Sequence, residues 1–206
     1  MTELLVVIAI ICILASLIFT GVQRTRQTAL TITCMNTMRQ WTVAFPLYAA
    51  DHNGYLPTAN LTLATQSNWQ QSIAPYVTGI TTQYAYSTLR TRYHCPGDTA
   101  ASTGWCYSTN LNLITPIAGS PFIVRRFSDI PHPELTLILE EANACGVWTL
   151  SPSSTLTAGM QYARHGNGLA NFAFADMHMQ SLNSADANAM LQANKILLNP
   201  ALTPGH

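Results

Sequence analysis

The sequence predicts an α+β fold, with a long N-terminal α-helix packed on a C-terminal globular domain that holds an antiparallel β-sheet. Three observations predict it. Residues 4–22 carry no charged side chain and are nearly all aliphatic. Apolar residues then continue at steps of three or four as far as Tyr48, which is the period of a helix face. Beyond Gly54 the chain breaks into short apolar runs fenced by proline, glycine and asparagine, the pattern of strands and turns. The expected division is 1–53 for the helix, with an apolar half over 1–23 and an amphipathic half over 24–53, and 54–206 for the α/β head.

In the first half of the helix, nineteen uncharged residues make a rod of about 28 Å, close to the hydrocarbon thickness of a bilayer. A cleaved secretory signal opens on basic residues, whereas here Glu3 precedes the run and Arg24 and Arg26 follow it. By the positive-inside rule those arginines hold the C-terminal side in the cytoplasm unless a basic leader precedes Met1. Glu3 is costly beside an apolar helix without a partner. An α-amino group, its own or that of a neighbouring copy, would neutralise it and fix the axial register of packed helices. Thr20 and Gly21 mark the place where the helix is expected to loosen on assembly, since Gly costs about 1 kcal/mol in a helix interior.

The second half carries the stripe Ile32, Met35, Met38, Trp41, Phe45 and Tyr48, expected to face the head. Pro46 removes a backbone donor and should interrupt or kink the helix. Asp51, His52, Asn53 and Gly54 form the stop, with Gly54 at the C-cap and Pro57 beyond. Such a helix is about 75 Å long, more than one small head can cover, so partners along its length are implied. In the head, 67–76 reads as a short helix carrying Trp69 and Ile73 and ended by Pro75. Residues 134–140, between prolines, form the best strand. Residues 171–175 and 178–182 read as a hairpin turning at Asp176 and Met177, where methionine suits a positive φ poorly and a longer or bulged turn is expected. Residues 99–104 and 151–159 read as loops.

Composition excludes several function classes. Nine basic and nine acidic residues cancel, charged residues are only 9 % of the chain and hydrophobic ones 48 %, so nothing here neutralises a phosphate backbone and no nucleic-acid partner is predicted. Four Trp, eight Tyr and six Phe supply enough burial to exclude disorder. No nucleophile elbow, Walker loop or dinucleotide fingerprint is present, so no catalytic residue, no cofactor and no enzymatic activity are expected. Cys12 reads as a small packing residue. Cys34, Cys95, Cys106 and Cys145 are an even set suited to disulfides in an exported chain, and three pairings are open. A zinc site is disfavoured because no Cys-x2-Cys pair exists. His165, Asp176 and His178 are weak metal candidates, set against a hydrogen-bonded turn. Asp51 to Gly54 resembles the start of a calcium loop but lacks the later acidic ligand. Glu140 and Glu141 are successive strand residues facing opposite sides, which argues against a shared proton. Asn60-Leu61-Thr62 is a glycosylation sequon by pattern.

Thr2-Glu3-Leu4-Leu5-Val6-Val7-Ile8-Ala9-Ile10-Ile11, continuing through Leu14-Ala15-Ser16-Leu17, resembles the N-terminal methylation motif of type IV pilins and type II secretion pseudopilins. Cys34-Met35-Asn36, Arg39-Gln40, the run from Tyr48 to Pro57, Cys95-Pro96-Gly97-Asp98, and Arg164-His165 with Asn171-Phe172-Ala173-Phe174-Ala175-Asp176 are similar to the subgroup with a C-terminal His-x9-Asp-Gly motif. Here ten residues separate His165 from Asp176, Met177 stands where that motif has glycine, and the glutamate is third rather than fifth. The resemblance implies a non-enzymatic filament subunit whose 1–23 segment is first a membrane helix and then filament core. Met1, Glu3, Leu4, Leu5, Val6, Val7, Ile8, Ile10, Ile11 and Leu14 would be its assembly residues. It implies copies of itself, a prepilin peptidase and inner-membrane assembly machinery as partners. The locations implied are the inner membrane before assembly and the cell surface afterwards. A type II secretion pseudopilin is the alternative, and a membrane-anchored metal- or ligand-binding domain a third. The resemblance also implies the pairing Cys34–Cys95, stapling helix to sheet, which leaves Cys106–Cys145.

Overall fold

A computed structural model describes residues 2–57, 69–79, 94–97, 106–114, 125–141, 149–150, 165 and 168–193. The architecture is α+β, as the sequence predicts. Helix α1 spans Thr2–Asp51 without a break, passing through Thr20, Gly21 and Pro46. A Cβ built at Gly21 would meet nothing within 4 Å, so no neighbouring side chain dictates glycine there. The hydroxyls of Thr25, Thr28, Thr31, Thr33 and Thr37 each donate to the carbonyl four residues back, a side-chain bond that a helix accommodates at a small cost.

The helix meets the head only in its second half. Its docked face is Cys34, Met38, Trp41, Ala44, Phe45 and Ala49, all buried. Of the expected stripe, Met38, Trp41 and Phe45 are buried and Tyr48 packs on the core, whereas Ile32 is 54 % exposed and Met35 half-buried, so the docked face begins at Cys34. Helix α2 (Trp69–Thr78) lies against this face. The Trp69 ring meets Trp41 edge-on at 5.9 Å and stacks on Phe45 at 5.5 Å, offset geometries that suit the ring quadrupoles. Pro75 does not end α2 as expected. The helix runs on to Thr78 and closes at Gly79, whose N–H reaches the Pro75 carbonyl at φ +70°.

Pro46 does not interrupt α1 either, because the buried residues on both sides of it, Phe45 and Ala49, hold the last turns on the head. The true stop is the expected one. Asn53 and Gly54 both take positive φ, and the Gly54 N–H returns to the Ala49 carbonyl at 2.7 Å, a glycine-dependent ending. The chain is then pinned by backbone bonds to Arg125 and Phe127.

The sheet has five strands in the order β3-β1-β2-β4-β5: β1 Tyr107–Asn110, β2 Leu137–Glu141, β3 Thr149–Leu150, β4 Leu169–Phe174 and β5 Met179–Asn183. Four are antiparallel neighbours, and two-residue β3 adds a parallel edge to β1. Helix α3 (Leu111–Ile114) follows β1 directly. Strand β2 starts three residues later than expected, at Leu137, because the Leu135 and Thr136 amides are used in a turn on the His132 carbonyl. Helix α4 (Ser184–Gln192) is capped by Asn183, whose side chain accepts from the Asp186 N–H. Its Ala187 packs with Leu137, Ala170, Phe172, Phe174 and Leu182 in a second apolar cluster, distinct from the one under α1.

The β4–β5 turn carries its strain where the sequence indicates. Met177 has φ +75°; its N–H bonds to the Phe174 carbonyl, and the Phe174 N–H to the His178 carbonyl. This is a three-residue hairpin loop with its left-handed position filled by methionine. We expect Met177→Gly to stabilise the head by about 0.5–1 kcal/mol, the left-handed penalty less the entropy of glycine. A rise in the urea midpoint with unchanged slope would register it; no rise would show that the turn is not strained.

Candidate functional site

Two features are candidates for function: the bare half of α1, and a buried cluster where α1 meets the sheet. Over residues 2–29 every described side chain is exposed, with Leu4 at 71 % and Ile8 at 49 %. Glu3, Leu4, Leu5, Val6, Val7, Ile8, Ile10, Ile11 and Leu14 all lie on this stretch, as does Cys12. The segment is long and apolar enough to cross a membrane, and none of it is buried. Met1, Cys145, Asn60-Leu61-Thr62, Asp98, Arg164 and the segments 99–104 and 151–159 lie outside the described residues.

The buried cluster draws one side chain from each of four segments. Cys34 supplies it from the first docked turn of α1, Cys95 from the Cys95-Pro96-Gly97 turn, Glu141 from the end of β2, and His165 from just before β4. Each is at most 1 % exposed. Their ligand atoms all lie within 4.8 Å of one another. Glu141 is the hub. Its Oε1 accepts from the Cys34 thiol at 2.6 Å, lies 2.8 Å from His165 Nε2 and accepts from Asn171 Nδ2 at 3.0 Å. Its Oε2 accepts from the Asn171 backbone N–H at 2.9 Å. His165 Nε2 also faces Cys95 Sγ at 3.7 Å. The Tyr107 hydroxyl lies 3.2 Å from Cys34 Sγ.

These contacts set the charges. Burial pulls the His165 imidazole down, but the hydrogen bonds to Cys95 and Glu141 and their negative charges outweigh it and hold its pKa at about 9. Its contacts with Cys34 and His165 draw the Cys95 thiol below its usual value, against burial. Burial raises the Glu141 carboxyl, yet His165, Cys34 and Asn171 together keep it below its usual value. Burial pushes the Cys34 thiol and the Tyr107 hydroxyl up. The directions favour the proton on Cys34 and the ionised forms of Cys95, His165 and Glu141, while His165 Nδ1 is buried with no hydrogen-bond partner among the described residues.

A thiolate beside an imidazolium has the composition of a nucleophilic dyad. Here, however, every member is buried. Closure suits a different use. Two sulfurs, an imidazole nitrogen and a carboxylate oxygen form a donor set for a closed structural metal site.

The structure brings Cys34 and Cys95 together, as the resemblance implies, but as two thiols rather than a disulfide, with Cys34 bonded instead toward Glu141 and Tyr107. Cys106 is buried. The weak metal trio is not assembled. Asp176 and His178 pair with each other at 2.6 Å in the exposed hairpin turn, where the His178 ring stacks on Phe174 at 4.2 Å, while His165 sits in the cluster. Glu140 and Glu141 do face opposite sides of β2. Phe172, the register partner of Glu140, belongs to the second apolar cluster.

Sequence reasoning missed Glu141 as the hub and missed the grouping altogether, because the four donors share no local spacing. The available signal was that Cys34, Cys95 and His165 each stand in one of the family-like motifs. No protein family, curated protein or solved structure matches this chain.

Proposed function

We propose that this chain is a structural subunit of a type IV pilus-like filament, held in the inner membrane by the apolar half of α1 and then assembled through that same half. The observation that carries the reading is the division of one continuous helix into a half docked on the head and a half with no intramolecular cover. Each aliphatic side chain there forgoes about 1.5–3 kcal/mol of burial while it faces water. Lipid satisfies it before assembly. Other copies satisfy it afterwards, through lateral packing rather than through further apolar transfer. The motif from Thr2 to Leu17 supports the same assignment, along with processing by a prepilin peptidase. Sealing of the thiolate–imidazolium cluster supports a structural rather than catalytic role, and the low charge of the chain lets many heads crowd together. Release of the filament outside the cell separates this reading from a short type II secretion pseudopilus of like architecture.

Glu3 tests it. In a filament core its carboxylate pairs with the α-amino group of a neighbouring subunit, and breaking a buried pair by removing one partner costs about 3–5 kcal/mol. Glu3→Ala should abolish sheared surface fibres while leaving the membrane-held pool and the folded head intact. Glu3→Gln should give an intermediate yield. Wild-type fibre yield from Glu3→Ala would remove the physical basis of the assignment.

A further inference from the structure

We propose that Cys34, Cys95, Glu141 and His165 form a closed, four-coordinate site for a divalent cation of the zinc class, tying α1 to the sheet. The inference is independent of the filament reading. The donor set is two sulfurs, one imidazole nitrogen and one carboxylate oxygen, a combination of softness and number that favours zinc over calcium or magnesium. Donors around a tetrahedral zinc stand about 3.3–3.8 Å apart, and these four already lie within 4.8 Å of one another. The Cys95–His165 separation of 3.7 Å falls inside that range. The two short contacts, Cys34 to Glu141 at 2.6 Å and His165 to Glu141 at 2.8 Å, are the ones now bridged by protons. They open by less than about 1 Å when a cation takes the protons' place.

An outer layer is built around Glu141 and Cys34, while His165 Nδ1 has no partner among the described residues. Asn171 gives Glu141 both its backbone and its side-chain N–H and is itself held by the Ser181 hydroxyl. The Tyr107 hydroxyl contacts Cys34 Sγ. Such partners orient ligands and tune a metal's affinity.

The exchange balances in charge. Entry of a dication displaces to solvent whatever protons the ligand atoms carry, since thiolates, a carboxylate and a neutral imidazole are the coordinating forms. Two thiolates, a carboxylate, a neutral imidazole and the dication then carry a single negative charge. No oxidant is needed, and the sulfurs stay reduced because each is coordinated.

The experiment is metal analysis of the full chain, extracted in detergent and purified without chelator, with thiol counting on the same sample. One zinc per chain is expected, with Cys34 and Cys95 unoxidised. Replacement by cobalt(II) should give tetrahedral d–d bands and a thiolate-to-cobalt charge-transfer band, a readout that needs no variant. Cys95→Ser and His165→Ala should each weaken zinc retention against a competing chelator by about a hundredfold or more, above the tenfold to hundredfold effect of outer-layer changes. The double variant Asp176→Asn, His178→Ala should retain zinc fully. A folded wild-type chain that binds neither zinc nor cobalt overturns the proposal. So does a Cys34–Cys95 disulfide in the isolated metal-free chain, or zinc that survives Cys95→Ser undiminished.

Discussion

Glu141→Ala is expected to destabilise the head by about 3–5 kcal/mol, the usual cost of removing one side of a buried charge pair, even with chelator present to exclude any metal contribution. The carboxylate accepts from Cys34, from His165 and twice from Asn171. Its loss removes the shorter of the two contacts at His165 Nε2 and takes the acceptor from the buried Asn171 amide N–H. Glu141→Gln keeps the shape and one carbonyl oxygen but turns an amide donor toward other donors, so we expect a smaller loss of about 1–3 kcal/mol. Urea unfolding of the metal-free chain, followed by tryptophan fluorescence, measures both. An alanine variant as stable as wild type would mean that the hub contributes nothing to the fold.

Glu140, its sequence neighbour, should behave in the opposite way: Glu140→Met is expected to stabilise the head, and by more as pH rises. Neither oxygen of Glu140 has a hydrogen-bond partner among the described residues, and burial drives its carboxyl well above the usual range. The folded state therefore keeps a proton that the unfolded chain releases above about 4.5. A raised carboxyl contributes fully below that unfolded value, and its contribution is lost as pH climbs toward the folded one. Methionine removes both the unsatisfied group and the proton linkage. The gain should be about 1–3 kcal/mol near pH 5 and should grow toward pH 8, with Glu141, His165 and Cys95 cancelling between variant and parent. Urea midpoints of both proteins across that range give the difference directly. A difference that shrinks with pH would show that Glu140 is ionised in the fold and has a partner.

The parts of the fold that were legible in the sequence were those set by local rules. The apolar run, the stop at Asn53 and Gly54 and the left-handed strain at Met177 each follow from residues adjacent in the chain. Where tertiary contact overrides local preference, the reading fails. Pro46 and Pro75 both lie inside helices because burial of Phe45, Ala49, Trp69 and Ile73 outweighs one missing backbone bond. The docked stripe keeps Met38, Trp41, Phe45 and the half-buried Tyr48 as expected but begins at Cys34 rather than Ile32, because Cys34 meets Glu141 and Tyr107 under the sheet. The cluster itself was hidden because its donors come from a helix, a turn, a strand end and a lone histidine, separated by tens of residues. The family resemblance implied the pairing of Cys34 with Cys95, and the two do lie together, as thiols.

Cys34 is both the first fully buried residue of α1 and a member of the cluster, and this placement has a mechanical consequence. A tug along the bare half of the helix travels down an unbroken rod and enters the head at that residue before any other. The docked turns beyond it, through Met38, Trp41 and Phe45, resist as a lap joint in shear, whose load is greatest at the edge nearest the pull. The residues that clamp this edge thus act as a rivet, bearing the largest share of the tension and sparing the aromatic interface behind them.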